Sequence, residues 1–339
     1  MTNSSISTKQ SEKNLSFILP CYNAEKYIAE CLDSLYSQDI PETDYEVICV
    51  NDCSPDGTRN IIVDYQQRHE NLVLIDHEKN TRQGGARNTG LRAAQGEYIW
   101  FIDPDDYIVP NCLARLLGVI KEENLNLLLF DYEEINEVGK SLGKHIYPMQ
   151  PQKCNIKDVF LNDDGAVSLC WSKIIKRNVL IDNGLFFYED FHNEDVVQGI
   201  QLFLFLNHFW YLQERIYFYR RHQNSDVSNK ALAELQWDYF ASQIKAGVEI
   251  IKTAATITDD DLRSKLIVFA RWHINCVNLK RILHLSNDAR KQFYAKLKLI
   301  DDLPIIYPYC NFRRKFALRC PNCVQFLHTF CDAHPKKKS

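Results

Sequence analysis

Asp103-Pro104-Asp105-Asp106 follows directly on the apolar run Tyr98-Ile99-Trp100-Phe101-Ile102. A short apolar run of this kind reads as a buried strand, and carboxylates just beyond a strand's C-terminal end stand where open α/β sheets bind ligands. Asp103 and Asp105, one residue apart, can share a hard divalent cation that in turn holds a diphosphate through its oxygens. That chemistry suits a nucleotide sugar. A solvated turn is also acidic, so the meaning of the cluster depends on the elements around it.

Those elements alternate. Strand-like runs are predicted over 15–19, 45–50, 72–75, 98–102 and 125–130, and between them Ile28, Cys31, Leu32 and Leu35 recur at helical spacing, as do Leu113, Leu116, Leu117 and Ile120. Strands alternating with amphipathic helices build βαβ units and a mostly parallel sheet, so the fold class is α/β. No Gly-x-Gly-x-x-Gly opens the first helix and no Gly-x-x-x-x-Gly-Lys-Ser/Thr loop is present. Phosphates must therefore be held in another way. The pattern is irregular over 144–183, with Pro148 and Pro151 as breakers. It then gives a helix over 194–206 and two strand-like runs over 209–212 and 217–221. Beyond Asn229 it is helical almost to Leu299, with N-caps expected near Thr258-Asp259 and Ser286-Asn287. The expected organisation is a disordered tail over 1–14, a catalytic domain over 15–229, a helical module over 230–330 and a basic tail over 331–339.

Composition sets the outer bounds. A chain of 339 residues with 45% hydrophobic and 25% charged residues has the balance of a globular protein with a large core. Its net charge of −4 argues against a general nucleic-acid binder. The first 14 residues are polar and lack an apolar segment, so a cytoplasmic location is expected. Most early cysteines, such as Cys31, Cys49 and Cys170, fall in strand-like or helical positions and read as small buried hydrophobes. Cys310, Cys320, Cys323 and Cys331 with His328 and His334 leave a zinc site open, although a second well-spaced pair is missing. Over 311–319, Arg313, Arg314, Lys315 and Arg319 interleave with Phe312, Phe316 and Leu318. That pattern suits a helix on an anionic membrane surface, or equally a solvated helix packed on the domain.

Four motifs in order carry a resemblance. Ser16-Phe17-Ile18-Leu19-Pro20-Cys21-Tyr22-Asn23-Ala24-Glu25 comes first, then Val50-Asn51-Asp52-Cys53-Ser54-Pro55-Asp56-Gly57-Thr58. Gln83-Gly84-Gly85-Ala86-Arg87-Asn88-Thr89-Gly90 follows, and Gly96-Glu97-Tyr98 leads into the acidic cluster. Over roughly residues 16–228 the chain resembles the family-2 inverting glycosyltransferases, whose GT-A fold is a Rossmann-like, mostly parallel central sheet flanked by helices.

The resemblance implies the following site. Pro20, Tyr22, Asn23 and Glu25 form the nucleotide-binding turn, with the Tyr22 ring as a platform for the base; a core aromatic is the alternative. Asp52 accepts from the base, a uracil, or else caps the helix from Gly57 onward. Arg82, Gly84 and Arg87 approach the nucleotide, with Arg87 alternatively anchoring the sheet edge through an ion pair. Asp103 belongs to the ribose or metal shell, Asp105 ligates Mn2+ or Mg2+, and His222, in Tyr219-Arg220-Arg221-His222, is a third ligand. His192-Asn193-Glu194-Asp195 matches the family's Glu-Asp motif, so Asp195 is expected as the general base with Glu194 beside it. Acids complementing a helix dipole are the alternative, and Glu189-Asp190 is a second acidic pair. Trp171 and Lys173 match an acceptor-binding segment, the indole serving as a platform for a sugar ring or, equally, as a core aromatic. Asn51 stands where many members have Asp, and Arg82 where many have Gly. The implied function is metal-dependent transfer from a nucleotide-sugar donor, a UDP-sugar, to a hydroxyl of a glycan or lipid-linked saccharide, with peripheral membrane contact. A catalytically inactive binding scaffold on the same fold is the alternative, and a sugar-nucleotide pyrophosphorylase is disfavoured by the missing Gly-rich loop.

Overall fold

A computed structural model describes residues 13–155, 169–206, 209–222 and 237–274. The cysteine- and histidine-rich tail, the basic run over 311–319 and the expected cap at Ser286-Asn287 lie outside them. The chain divides into two compact units, one spanning 1–190 and 194–222, the other 191–193 and 223–339.

The first unit is built on a ten-stranded sheet whose main path runs β3-β2-β1-β4-β9-β6-β10-β5. Strands β1 (Leu15–Cys21), β2 (Tyr45–Asn51) and β4 (Tyr98–Phe101) are buried along their whole length. This is why they read as continuous apolar runs rather than alternating ones. β1 pairs parallel with β2 and with β4, and β2 pairs parallel with β3 (Leu72–Asp76). Helix α1 (Ile28–Tyr36) buries Ile28, Cys31, Leu32 and Leu35, the residues its helical spacing marked. α2 (Thr58–Gln66) and α3 (Arg82–Ala93) make the next two crossovers. At Gly90 an added Cβ would lie 2.4 Å from Ile18 Cγ2, so α3 can rest on β1 only with glycine there. α4 (Leu113–Glu122) buries Leu113, Leu116, Leu117 and Ile120, again the residues of its periodic pattern.

Past β4 the sheet becomes mixed. β9 (Lys173–Lys176) lies antiparallel between β4 and β6 (Leu127–Asn136). β6 runs parallel to β10 (Phe209–Arg221). The two runs expected at 209–212 and 217–221 are thus one strand, interrupted only by register shifts between Leu212 and Arg215 and between Arg215 and Tyr217. Bulges of this kind bend a strand without ending it, and the polar residues at 213–215 made it look like two. β5 (Tyr107–Ile108), just after the acidic cluster, pairs antiparallel with β10, while β7 (Ser141–His145) and β8 (Gln152–Cys154) pair with β6 and β10. α5 (Arg177–Asp182) and α6 (Glu194–Phe205) are the remaining helices among the described residues of this unit. Cys31, Cys49 and Cys170 are buried free thiols.

In the second unit α7 (Trp237–Ala255) packs closely on α8 (Asp260–Ile274). A Cβ at Gly247 would lie 2.6 Å from Ile274 Cγ1. Asp259 Oδ1 accepts the Leu262 N–H at 3.0 Å and caps α8, where a cap was expected. His192 N–H donates to Ser242 Oγ at 2.9 Å, and Gln243 Nε2 donates to Asn193 Oδ1 at 2.7 Å.

Candidate active site

The acidic cluster leaves the C-terminal end of β4 and meets the end of β10. Asp106 is buried, accepting from Tyr217 Oη and from the Arg220 N–H, both at 2.7 Å. Burial, reinforced by the charges of Asp105 and Asp103, pushes its pKa far up, so it anchors the turn rather than serving as a free charge. With Asp106 pinned, Asp105 faces the other way, and its Oδ2 lies 2.7 Å from His222 Nε2. Asp103 takes a third direction: its N–H donates to Tyr217 Oη at 3.1 Å, and its Oδ1 accepts from Arg87 Nη2 at 2.8 Å.

Of the three expected metal ligands, the structure therefore brings Asp105 and His222 together and gives one oxygen of Asp103 to an arginine. Among the described residues no group of three His, Cys, Asp or Glu side chains is gathered as a ready-made metal cage. The Asp105 carboxylate suits a hard divalent ion that keeps most of its shell for water and substrate phosphate, and the His222 imidazole beside it fits Mn2+ better than Mg2+.

Arg87 connects this edge to the start of α6. Its side chain is 2% exposed, and Nη1 donates to Glu194 Oε1 at 2.7 Å while Nη2 holds Asp103. One buried guanidinium shared by two acids offsets only part of the cost of taking them out of water. Burial first, then the neighbouring Asp195 charge, lifts Glu194 to about 7; burial, opposed by Arg87 and aided by Asp105, lifts Asp103 to about 6. Arg87 thus takes the ion-pair role left open by its sequence.

Asp195, next to Glu194, is only partly buried. Burial raises its pKa, and the positive charges of Arg87 and Lys173 act against that rise. Its Oδ1 accepts the Val196 N–H at 2.9 Å, placing it in the electropositive first turn of α6. Lys173 is 1% exposed and donates to the Leu169 carbonyl. Burial lowers its pKa to about 8, with the Asp195 charge acting against that fall. Trp171 is also buried, stacked on Tyr217 at 4.4 Å and Tyr219 at 5.3 Å between ring centroids. The structure places both expected acceptor-binding residues inside the fold, Lys173 near Asp195 and Trp171 against Tyr217.

At the turn after β1, Tyr22 is 51% exposed, an open aromatic face rather than a core ring. Pro20 lies within β1, and Asn23 adopts φ 53° at the turn that follows. Glu25 Oε2 accepts the Gly57 N–H at 2.9 Å, tying this turn to the start of α2. Asp52 is buried and heavily engaged: His77 Nδ1 lies 2.7 Å from Oδ1, and Thr81 donates its N–H at 2.8 Å and its hydroxyl at 3.0 Å to the same oxygen. Arg82, at the start of α3 with φ 64°, is half-buried and donates to the Asp190 carbonyl at 3.5 Å. Gly84 is buried against the chain ahead of α6; an added Cβ would lie 2.3 Å from the Tyr188 carbonyl oxygen.

Several residues that build this site were given no structural role by the sequence, although Arg220 stands in the motif that carries His222. His77 joins Asp52 to Thr89 Oγ1 at 2.9 Å. Arg220 grips the acidic turn through the Asp105 carbonyl at 2.9 Å and reaches Glu30 at 2.6 Å. Tyr217 bonds two of the aspartates. Each acts through partners many residues away, so no local spacing marks it; the Arg87-Asn88 motif pointed to α3 without showing which segment it grips.

Comparison with known proteins agrees with this arrangement. The family model described as glycosyl transferase family 2 matches residues 16–183. The putative glycosyltransferase EpsH of Bacillus subtilis is 34% identical over 84% of this chain and 81% of its own length. The poly(ribitol-phosphate) beta-N-acetylglucosaminyltransferase TarS of Staphylococcus aureus is 32% identical over 70% of this chain and 40% of its own length. The crystal structure of S. aureus TarS residues 1–349 in complex with UDP-GlcNAc superposes with a TM-score of 0.68 at 25% identity, over 93% of this chain and 86% of that one. The chain spans less than half the length of the poly(ribitol-phosphate) transferases it matches. With family motifs on a sheet of matching architecture, and a relative aligned over most of both lengths, this chain belongs to glycosyl transferase family 2 and has the GT-A fold.

Proposed function

We propose that this protein is an inverting glycosyltransferase that moves a sugar from a nucleotide donor, a UDP-sugar, to a hydroxyl of a glycan or lipid-linked saccharide, with Asp195 as general base. The observation that carries this reading is the ion-pair chain from Asp103 through Arg87 to Glu194, which ties the acidic turn to the residue next to Asp195. An inverting displacement needs that adjacency. The acceptor oxygen attacks the anomeric carbon as Asp195 takes its proton, and the bond from that carbon to the diphosphate oxygen breaks on the opposite face. The raised pKa of Asp195 makes it a stronger base than an exposed carboxylate.

Tyr22 offers its ring to the base, and Arg82 stands as a cation at the start of α3. Asp105 with His222 would hold a Mn2+ or Mg2+ ion, which when bound neutralises charge on the departing diphosphate. UDP-GlcNAc in the TarS complex and the names of the poly(ribitol-phosphate) transferases support a UDP-sugar donor and a cell-envelope polymer as acceptor. Nucleotide sugars and lipid-linked acceptors meet at the cytoplasmic face of a membrane, the location this reading implies. Among the described residues no helix is long and apolar enough to cross one.

Transfer from UDP-GlcNAc and UDP-glucose to poly(ribitol phosphate) and to saccharide acceptors, with wild type and Asp195→Asn side by side, tests the reading. Loss of the base should lower transfer by about 10²–10⁴-fold while UDP still raises the melting temperature. Near-normal transfer by Asp195→Asn would remove Asp195 as the base. UDP binding by a wild type that transfers to no acceptor would favour the inactive scaffold.

A further inference from the structure

Asn88 follows Arg87 on α3 and is 1% exposed. Its Oδ1 accepts the Phe187 N–H at 2.9 Å, and its Nδ2 donates to the Phe187 carbonyl at 2.8 Å and to Glu189 Oε1 at 2.9 Å. The amide therefore pairs with both backbone groups of Phe187 as a neighbouring strand would, and spends its remaining N–H on Glu189. One turn earlier Gly84 lets the Tyr188 carbonyl come within 2.3 Å of where a Cβ would stand. Positions 84, 87 and 88 share one face of a helix. That face grips Phe187, Tyr188 and Glu189 through Asn88 and Gly84, and Glu194 through Arg87. Thr81, at the cap just before the same helix, holds Asp52.

We infer that Asn88 is a positioning residue for Asp195: it fixes the chain that leads into α6, so that the base is delivered at one distance and angle to the acceptor hydroxyl. This rests on Asp195 being the base. Asn88 itself touches neither donor nor acceptor in this assignment, although it lies in a motif whose neighbours are nucleotide-binding candidates. A base held loosely loses rate rather than donor affinity, because near-attack geometry is what the clamp supplies.

The test compares Asn88→Ala, Asn88→Asp and the pair Asn88→Asp with Glu189→Gln. Asn88→Asp keeps an acceptor for the Phe187 N–H but sets a carboxylate against Glu189 and the Phe187 carbonyl. In the pair, the amide introduced at 189 can donate back. Both single changes should lower kcat by about 10–100-fold, the loss that a misplacement near 1 Å produces, with KM for the donor within about twofold. The pair should recover part of that kcat. A purely structural asparagine would lose donor affinity and melting temperature in step with kcat and show no recovery; that result, or an unchanged kcat, overturns the inference. If wild type itself transfers nothing, the proposed activity is at fault, and amide hydrogen exchange at Phe187 reads the clamp independently. Faster exchange at Phe187 in Asn88→Ala, with β1 and β2 unchanged, supports the clamp, and exchange equal to wild type overturns it.

Discussion

Arg87 lies between Asp103 and Glu194, with Nη2 at 2.8 Å from one carboxylate and Nη1 at 2.7 Å from the other, and its side chain is almost wholly buried. The two acids come from opposite sides of the reaction as proposed, one from the donor's turn and one from the start of the base helix. Removing the cation would leave the buried Glu194 and the partly buried Asp103 without their shared partner. Arg87→Met should cost about 3–5 kcal/mol of stability, the usual penalty for breaking a buried pair, and should reduce transfer by more than its effect on folding explains. Arg87→Lys should retain charge but satisfy only one acid at a time, giving an intermediate loss. Urea unfolding read beside transfer at low temperature checks both.

The pH dependence should identify the charges around the base. Asp195 must be ionised to accept a proton, so activity rises with pH through its pKa. Lys173 is one of the cations that lowers that pKa. Lys173→Met should therefore move the acid limb of the kcat/KM profile to higher pH, leaving transfer most impaired at low pH. An unmoved acid limb would separate Lys173 from the base electrostatically.

Stability should also carry a signature of Glu194. Its pKa rises from the ordinary 4.5 to about 7 on folding. The folded state thus binds the extra proton across that window, and the slope of unfolding free energy with pH is negative there. The contribution is fully present below pH 4.5 and is lost as pH rises through about 7. Glu194→Gln removes this slope, so its melting temperature should fall less than that of wild type between pH 5 and 8.

Arg82 offers a separation of backbone from charge. It holds φ 64° without being glycine, a conformation that costs an ordinary residue about 1–2 kcal/mol. Arg82→Gly should leave stability equal or higher by up to about 1 kcal/mol while weakening UDP-sugar binding through loss of the cation. Arg82→Ala should lose the cation and keep the strain. Calorimetric Kd values for UDP across the three proteins, beside their melting temperatures, distinguish the two effects.

Much of this architecture was legible because its signals are local. β1, β2 and β4 are buried on both faces and so appear as unbroken apolar runs, and α1 and α4 show their buried faces at a period of 3.6. The acidic turn after β4 and the Glu194-Asp195 pair opening α6 are short motifs at the ends of elements, visible without coordinates. β9, a four-residue strand between β4 and β6, is too short to carry a period, and β10 read as two strands because its bulges fall among polar residues. Roles that depend on distant partners were not legible. Asp52 meets His77 and Thr81, Asp105 meets His222, and Asn88 meets Phe187, pairings that exist only once the sheet and its helices are assembled.

The most direct test of the account is calorimetric titration of UDP into wild type and Asp105→Ala, each with and without Mn2+, with GDP as the comparison nucleotide. The account predicts that Mn2+ tightens UDP binding to wild type, that GDP binds more weakly, and that Asp105→Ala abolishes the gain from Mn2+. UDP binding of equal strength with and without Mn2+, or an undiminished Mn2+ effect in Asp105→Ala, would contradict it.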